Sequence, residues 1–144
     1  MRFVTRERIH VDRIATVWAI TRFVDSSATF EFVPRTRDLR SNDAIPFDIR
    51  GAELGHRGER CTLEALIDKY ELRDPALRAM ARIIRAADLP DQEPAPAIAI
   101  GVQAIFDGIR DGSQTDEERL AKGMVVCNAL YAFCKRHKDA AADV

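Results

Sequence analysis

The stretch RFVTRERIHVDRIATVWAITRFVDSSATFEFV, residues 2–33, decides the fold of this chain. Its first five residues and the run 29–33 mix β-branched and aromatic side chains with charges, a composition typical of short strands. Apolar side chains recur at steps of three and four through residues 12–25, which predicts an amphipathic helix capped by Asp12. Because Pro34 ends the second run, we predict an α+β fold that opens with a short β-hairpin or strand pair.

The second half of the chain is predicted to be helical, because each apolar stripe in it follows a helix-start signal. The signals are Thr62, the pair Asp74-Pro75, the prolines Pro94 and Pro96, and Thr115 followed by Glu118. With the first helix they predict about five α-helices and a predominantly helical α+β fold. We expect residues 1–138 to form a single domain and residues 139–144 to form a flexible tail.

Composition and charge argue against several classes of protein. The formal net charge of -1 over 144 residues offers no basic excess, so we do not expect this chain alone to bind nucleic acid. No apolar run approaches the ~20 residues of a membrane-spanning helix, and the chain does not begin like a secretory signal. The 3 cysteines show no CxxC spacing, which favours a reducing, cytoplasmic compartment. No phosphate-binding glycine motif is present, so no nucleotide cofactor is expected.

A long segment of weak pattern, residues 35–60, is predicted to be mostly loop. Loops of this length inside a compact domain are uncommon and often functional. The segment carries a carboxylate at Glu53 and an imidazole at His56, and the next residue after it, Cys61, adds a thiol. These are the donor types of zinc and iron sites. The alternative interpretation is that Glu53 pairs with an arginine, His56 bonds a carbonyl oxygen and Cys61 fills the core.

A second polar cluster, RERIHVDR at residues 6–13, lies at the predicted junction of the first strand and the first helix. Such a junction exposes backbone N–H groups that hold an anion, and the paired arginines Arg6 and Arg13 suit a tetrahedral oxyanion. The same cluster offers alternative metal ligands: Glu7, His10 and Asp12. The simpler interpretation is a solvated charge cluster beside a helix cap.

Distinctive strings are spread over nearly the whole chain, among them FVTRER at residues 3–8, VDRIA at 11–15, AIPFDI at 44–49, ELGH at 53–56 and GERC at 58–61. Together they resemble the C-terminal domain of the ChrB family of chromate-resistance proteins. The resemblance implies a relation to regulators of chromate-efflux operons, whose full-length members carry a further N-terminal segment. The resemblance implies that the domain matched here is the half of these regulators that is expected to sense the effector.

The sequence departs from the family pattern at three places. The Cys-Pro pair that the family usually carries just before the tryptophan is Thr16-Val17 here, which weakens any claim of thiol-based chromate reduction or soft-metal binding. A second histidine commonly follows the motif histidine, but here it is Arg57, so His56 is the only histidine of its motif. The usual proline near the start of the first helix is replaced around Ile9-His10.

The leading hypothesis from the sequence is a ligand-binding module of the chromate-response type. It would hold an oxyanion or a divalent ion of zinc, iron or manganese between the start of the first helix and the ELGH loop. The candidate metal ligands are Glu7, Asp12, Glu53 and His56; the anion partners are Arg6 and Arg13; the supporting or alternative residues are His10, Trp18, Asp48, Cys61 and Asp88. This hypothesis requires the two polar segments to converge on one pocket.

Two other classes of function stay open on the sequence alone. A metal-dependent enzyme that reduces an oxyanion or detoxifies redox-active species would use Glu53, Asp48 or Asp88 as a base. A structural module would form a homodimer through the last predicted helix, over residues 115–138, because its apolar residues lie on more than one side.

Overall fold

The structure, a computed structural model, describes residues 1–39, 43–89, 95–137 and 139. Its elements are β1 (Arg2–Arg6), α1 (Val11–Ala19), β2 (Thr29–Val33), β3 (Ile45–Pro46), α2 (Thr62–Lys69), α3 (Pro75–Asp88), α4 (Ala97–Asp111) and α5 (Asp116–Arg136). A π-helical turn, Ile20–Val24, continues α1. The predominantly helical α+β class predicted from the sequence is therefore confirmed. The predicted tail, residues 139–144, lies outside the described residues apart from Asp139.

The sheet has three parallel strands in the order β2-β1-β3. β1 pairs with β2 over its whole length and with β3 through Phe3 and Val4. The opening of the chain is therefore a parallel strand pair and not a hairpin, because α1 provides the crossover that parallel pairing requires. β3 falls in the segment predicted as loop, since two residues are too few to show the alternation of a strand.

Helix α1 lies in the core, where it packs against α2, α3 and α5. Its one tryptophan, Trp18, is 2% exposed, and the indole Nε1 donates a hydrogen bond of 2.8 Å to Oδ1 of Asn128. The indole ring also contacts the rings of Phe23 and Tyr131. Trp18 thus packs between α1 and α5 with its polar atom satisfied, which is the usual arrangement for a buried tryptophan.

The sequence signals for helix starts have mixed outcomes. Asp74 accepts hydrogen bonds from the first amides of α3, and the Thr115 hydroxyl accepts one from Glu118 at the start of α5, as predicted. The predicted cap at Asp12 is wrong, because α1 begins after His10 and Asp12 lies inside its first turn. The carboxylate of Asp12 instead accepts hydrogen bonds from the first amides of α2, because tertiary packing brings the start of that helix close to it.

The outer sides of α4 and α5 carry apolar residues. Val125 on α5 and Ile100 on α4 are 67% and 56% exposed, whereas Leu130 of α5 is buried. Dimerisation through the last helix stays a prediction. Among the described residues, no helix combines the length and the apolar character that crossing a membrane requires.

Candidate metal centre

Three aspartates converge on the imidazole of His56. Its Nδ1 lies 3.2 Å from Oδ1 of Asp48, and its Nε2 lies 2.9 Å from Oδ2 of Asp88. The same Nε2 lies 3.5 Å from Oδ2 of Asp12. These four residues, which we call the aspartate–histidine cluster, come from the first turn of α1, the segment between β3 and α2, and the last residue of α3.

Asp12 is held by the start of α2. Its Oδ2 accepts a hydrogen bond of 2.9 Å from the Thr62 amide, and its Oδ1 accepts one of 3.1 Å from the Leu63 amide. These amides are among the free N–H groups that begin a helix and favour a negative charge. Burial nevertheless raises the pKa of Asp12 above its ordinary value, and the charges of Asp48 and Asp88 raise it further. A nearby cation would relieve both effects.

Asp48 is fixed from two sides. Its Oδ2 accepts a hydrogen bond of 3.0 Å from Nε of Arg13, and its main-chain oxygen accepts one of 2.7 Å from Nη2 of the same guanidinium. Its Oδ1 accepts a hydrogen bond of 2.8 Å from the Thr62 hydroxyl and faces His56. The backbone φ of Asp48 is +50°, in the left-handed region that aspartate tolerates better than most residues. One carboxylate thus connects an arginine to the histidine.

The protonation of His56 follows from its acidic neighbours. The hydrogen bond with Asp48 is the largest influence and, with the contact to Asp88 and the charge of Asp12, raises the pKa of His56 to about 9 against the opposing effect of burial. In this arrangement the imidazole is protonated at neutral pH, with an N–H pointing at a carboxylate on each side. Burial raises the pKa of Asp88, and the hydrogen bond from His56 partly offsets that rise.

The cluster groups donor atoms that could hold a divalent metal ion. One ligand atom each from Asp12, Asp48 and His56 lies within 4.8 Å of the other two. Oxygen and nitrogen donors without a thiolate suit zinc, iron and manganese. Three carboxylates crowd around one imidazole, and a dication offsets that like charge. With an ion at Nδ1 of His56, Nε2 would face the carboxylate of Asp88, the arrangement that orients a metal-bound histidine.

The structure does not bring Glu53 into the cluster. Its Oε2 accepts a hydrogen bond of 2.7 Å from Nζ of Lys69, and 66% of its side chain is exposed. Leu54, the next residue, is buried and bridges to Phe47. Because Leu54 anchors the loop in the core, the polar side chains on either side of it reach different partners. The predicted ELGH loop thus contributes His56 alone.

Three further residues from the sequence prediction also lie outside the cluster. Glu7 is exposed at the surface. Nε2 of His10 lies 3.1 Å from Oδ1 of Asp107, with which it forms a surface pair. Cys61 is fully buried, and burial raises the pKa of its thiol far above the ordinary value, so it fills the core as a neutral thiol.

The arginines predicted to meet an anion lie together on one open cavity. Its lining comprises Arg6, Arg13, Arg35, Asp48, Ile49 and Arg50, and its volume is about 440 Å³. We call it the arginine cavity. Asp48 belongs both to this cavity and to the aspartate–histidine cluster, so the two polar segments singled out in the sequence do meet.

The sequence analysis gave Asp48 and Asp88 supporting or alternative roles and did not single out Arg35 and Arg50. Asp48 carried a usable signal, because it follows a short apolar run inside a long loop. Asp88 carried none, since only the packing of α3 brings the end of that helix to His56. Arg35 and Arg50 could not be distinguished in the sequence from the many other arginines of the chain.

Comparison with known proteins identifies the family to which this chain belongs. A family model described as "ChrB, C-terminal domain" matches residues 3–134, so the chain belongs to this family. Protein ChrB of Cupriavidus metallidurans is 32% identical over 130 residues, which make up 90% of this chain and 39% of that protein. The chain thus spans less than half the length of this curated relative. No solved structure matches the chain.

Proposed function

We propose that this domain is the ligand-binding part of a chromate-response protein and that it binds one divalent ion of zinc, iron or manganese. The observation that carries the proposal is the convergence of Asp12, Asp48 and Asp88 on His56 from separate parts of the chain. Membership of the ChrB family supports the chromate-response setting. The match covers 39% of Protein ChrB, so any role of that whole protein reaches this chain only as part of this proposal.

Each residue of the cluster has its own role in holding the ion. Asp12 and Asp48 supply carboxylate oxygens that are already oriented by the α2 amides and by Arg13. His56 supplies a ring nitrogen. Asp88 accepts the remaining N–H of the imidazole when Nδ1 faces the ion, which strengthens the basicity of the ligand. The bound ion supplies positive charge where three carboxylates otherwise repel one another.

The proposal is tested by calorimetric titration of protein purified without an affinity tag. Manganese, zinc and iron are each added at mildly alkaline pH, with iron handled under anaerobic conditions. We expect one of the three to saturate at one ion per chain, and we expect excess chelator to remove it. The lack of saturable binding by all three ions would contradict the proposal.

Metal affinity is expected to rise with pH. The ion must displace the proton of His56, whose pKa is raised to about 9, so protons compete with metal up to that pH. One displaced proton corresponds to about a tenfold gain in affinity per pH unit from about pH 7 to about pH 8.5. The raised pKa of Asp12 adds a second competing proton at lower pH, which steepens the dependence there. Titration in buffers of different ionisation enthalpy counts the released protons, and an affinity independent of pH would count against His56 as a ligand.

A further inference from the structure

The outward side of α4 carries no charged residue over about three turns. Residues 97–106 contain neither an acidic nor a basic side chain, although charged residues make up 31% of the chain. Ile100 and Ile105 are 56% and 51% exposed. A stretch of helix that is apolar on nearly all sides is normally covered by other protein. The exposed residues of this stretch, which we call the α4 face, are Ala97, Ile100, Gly101, Ala104 and Ile105.

Nothing in the part of the chain that the structure describes requires the glycine at position 101. A Cβ added to Gly101 would meet no atom within 4 Å. Glycine inside a helix is less favourable than alanine, because it loses more conformational freedom on folding. With Ala104 one turn farther along, Gly101 instead forms a smooth strip on which a second helix can pack at a short distance. The strip therefore suits a helix from outside the chain.

The α4 face is complementary to itself. Gly101 and Ala104 lie along its middle, and Ile100 and Ile105 lie on its two flanks. When two copies pack antiparallel about the midpoint of Gly101 and Ala104, each of these small residues lies opposite the other type in the second copy. A two-fold axis across the helices keeps each flank on its own side, so Ile100 packs near Ile100 and Ile105 near Ile105. A two-fold interface requires such a patch, because the same surface serves both copies.

The charges at the two ends of α4 favour the antiparallel orientation. Pro96 offers no side chain that caps the helix, and the first turn contains no acidic residue. The last turn carries Asp107 and Asp111, whose side chains are 38% and 71% exposed, against the single positive charge of Arg110. Antiparallel packing brings this acidic end near the positive dipole end of α4 in the second copy. Parallel packing would place like ends together.

We propose that the α4 face packs against the same face of a second copy of this chain and forms a weak antiparallel dimer. A helix of 15 residues is about 22 Å long, and one pair of such helices covers less than the about 800 Å² per copy of a standard interface. A dissociation constant of about 10–100 µM is therefore expected. Because packed helices cross at an angle and diverge, the pairing leaves Gly108 outside the contact. The dimer does not depend on the metal site.

Sedimentation equilibrium from about 1 µM to about 1 mM tests the dimer. We expect the mass to rise from the 16.2 kDa of one chain to twice that value. Ile105→Lys places a charge in the apolar contact and should weaken the dimer about tenfold or more. Gly101→Gln should weaken it similarly by separating the helices, while the folded monomer is kept, because glutamine favours a helix and the position is open. A mass of one chain at all concentrations would overturn the proposal and leave the face to a different protein.

Val125→Lys is the matched control, because it makes the same kind of change on the outer side of α5. Val125 is 67% exposed, so the variant is expected to fold, as circular dichroism verifies for all three variants. Its dissociation constant should stay within about twofold of the parent. If Val125→Lys weakened the dimer as much as Ile105→Lys, or if Ile105→Lys left it intact, the interface would lie elsewhere and the proposal would be wrong.

Mild oxidation of single-cysteine additions tests the orientation. The native cysteines are buried, so the parent is expected to stay uncrosslinked. In the antiparallel pair, the two copies of Ala104 lie near the two-fold axis, whereas the two copies of Ala97 are separated by about 16 Å along the helix. A disulfide needs Cα atoms within about 7 Å, so Ala104→Cys should crosslink and Ala97→Cys should not. Crosslinking of Ala97→Cys at the rate of Ala104→Cys would overturn the antiparallel arrangement.

Discussion

Replacing His56 by alanine is expected to weaken binding of the divalent ion by about a hundredfold or more, beyond the 10–100-fold typical of losing a residue that only orients a ligand. The change removes the one nitrogen donor of the proposed site and leaves only Asp12 and Asp48 of its three candidate ligands. The side chain of His56 is 39% exposed, so its removal creates little buried void. Calorimetric titration of variant and parent with the same ion measures the loss.

The matched control for this prediction is His137→Ala. His137 is an exposed histidine that follows α5 and stacks on Phe133, outside the cluster. Its removal should leave metal affinity unchanged, while circular dichroism shows that both variants are folded. Equal affinities in the parent and in His56→Ala would mean that the ion, if bound, lies elsewhere in the protein.

Substituting Gly123 by alanine is expected to lower the free energy of unfolding by about 1–3 kcal/mol, the usual cost of adding an atom to a packed core. A Cβ at this position would lie 2.5 Å from Cγ2 of Ile14 and 3.2 Å from Cε1 of Phe106. Both neighbours are fully buried, so neither can move away at small cost. The close approach of α5 to α1 therefore requires glycine. Chemical denaturation monitored by circular dichroism measures the difference.

Gly108 serves as the control, because its substitution by alanine is expected to change the free energy of unfolding in the opposite direction. A Cβ at Gly108, inside α4, would meet nothing within 4 Å. Gly108→Ala should therefore raise the free energy of unfolding by roughly 0.5–1 kcal/mol, because alanine favours the helix and restricts the unfolded chain. If Gly123→Ala stabilised the protein by a similar amount, α1 and α5 would have to lie farther apart than the structure shows.

The sequence predicted those features of the fold that local interactions determine. The starts of α3 and α5 follow from Asp74 and Thr115, whose side chains bond to amides two or three residues away. The parallel pairing of β1 with β2 could not be read from the strands themselves, since both pairings bury the same side chains. It depends on the path of α1 between the strands.

The candidate site was predictable only in part, because it is assembled over long distances in the chain. Asp12 and His56 stand out through the chemistry of their local segments. The sequence nevertheless placed Asp12 as the cap of α1. Its carboxylate instead accepts hydrogen bonds from the amides of Thr62 and Leu63 at the start of α2, which only tertiary packing brings near. Asp88 could be placed only after the position of α3 was known.

The bonding of Asp12 to the first amides of α2 has a mechanical consequence. A metal ion held by this carboxylate would act as a staple between α1, the loop that carries Asp48 and His56, and the first turn of α2. Such an ion would add to the hydrogen bonds that already join these parts, and a ligand that binds the folded form alone adds its binding energy to the fold. The free energy of unfolding of the domain would then rise with the concentration of free metal ion.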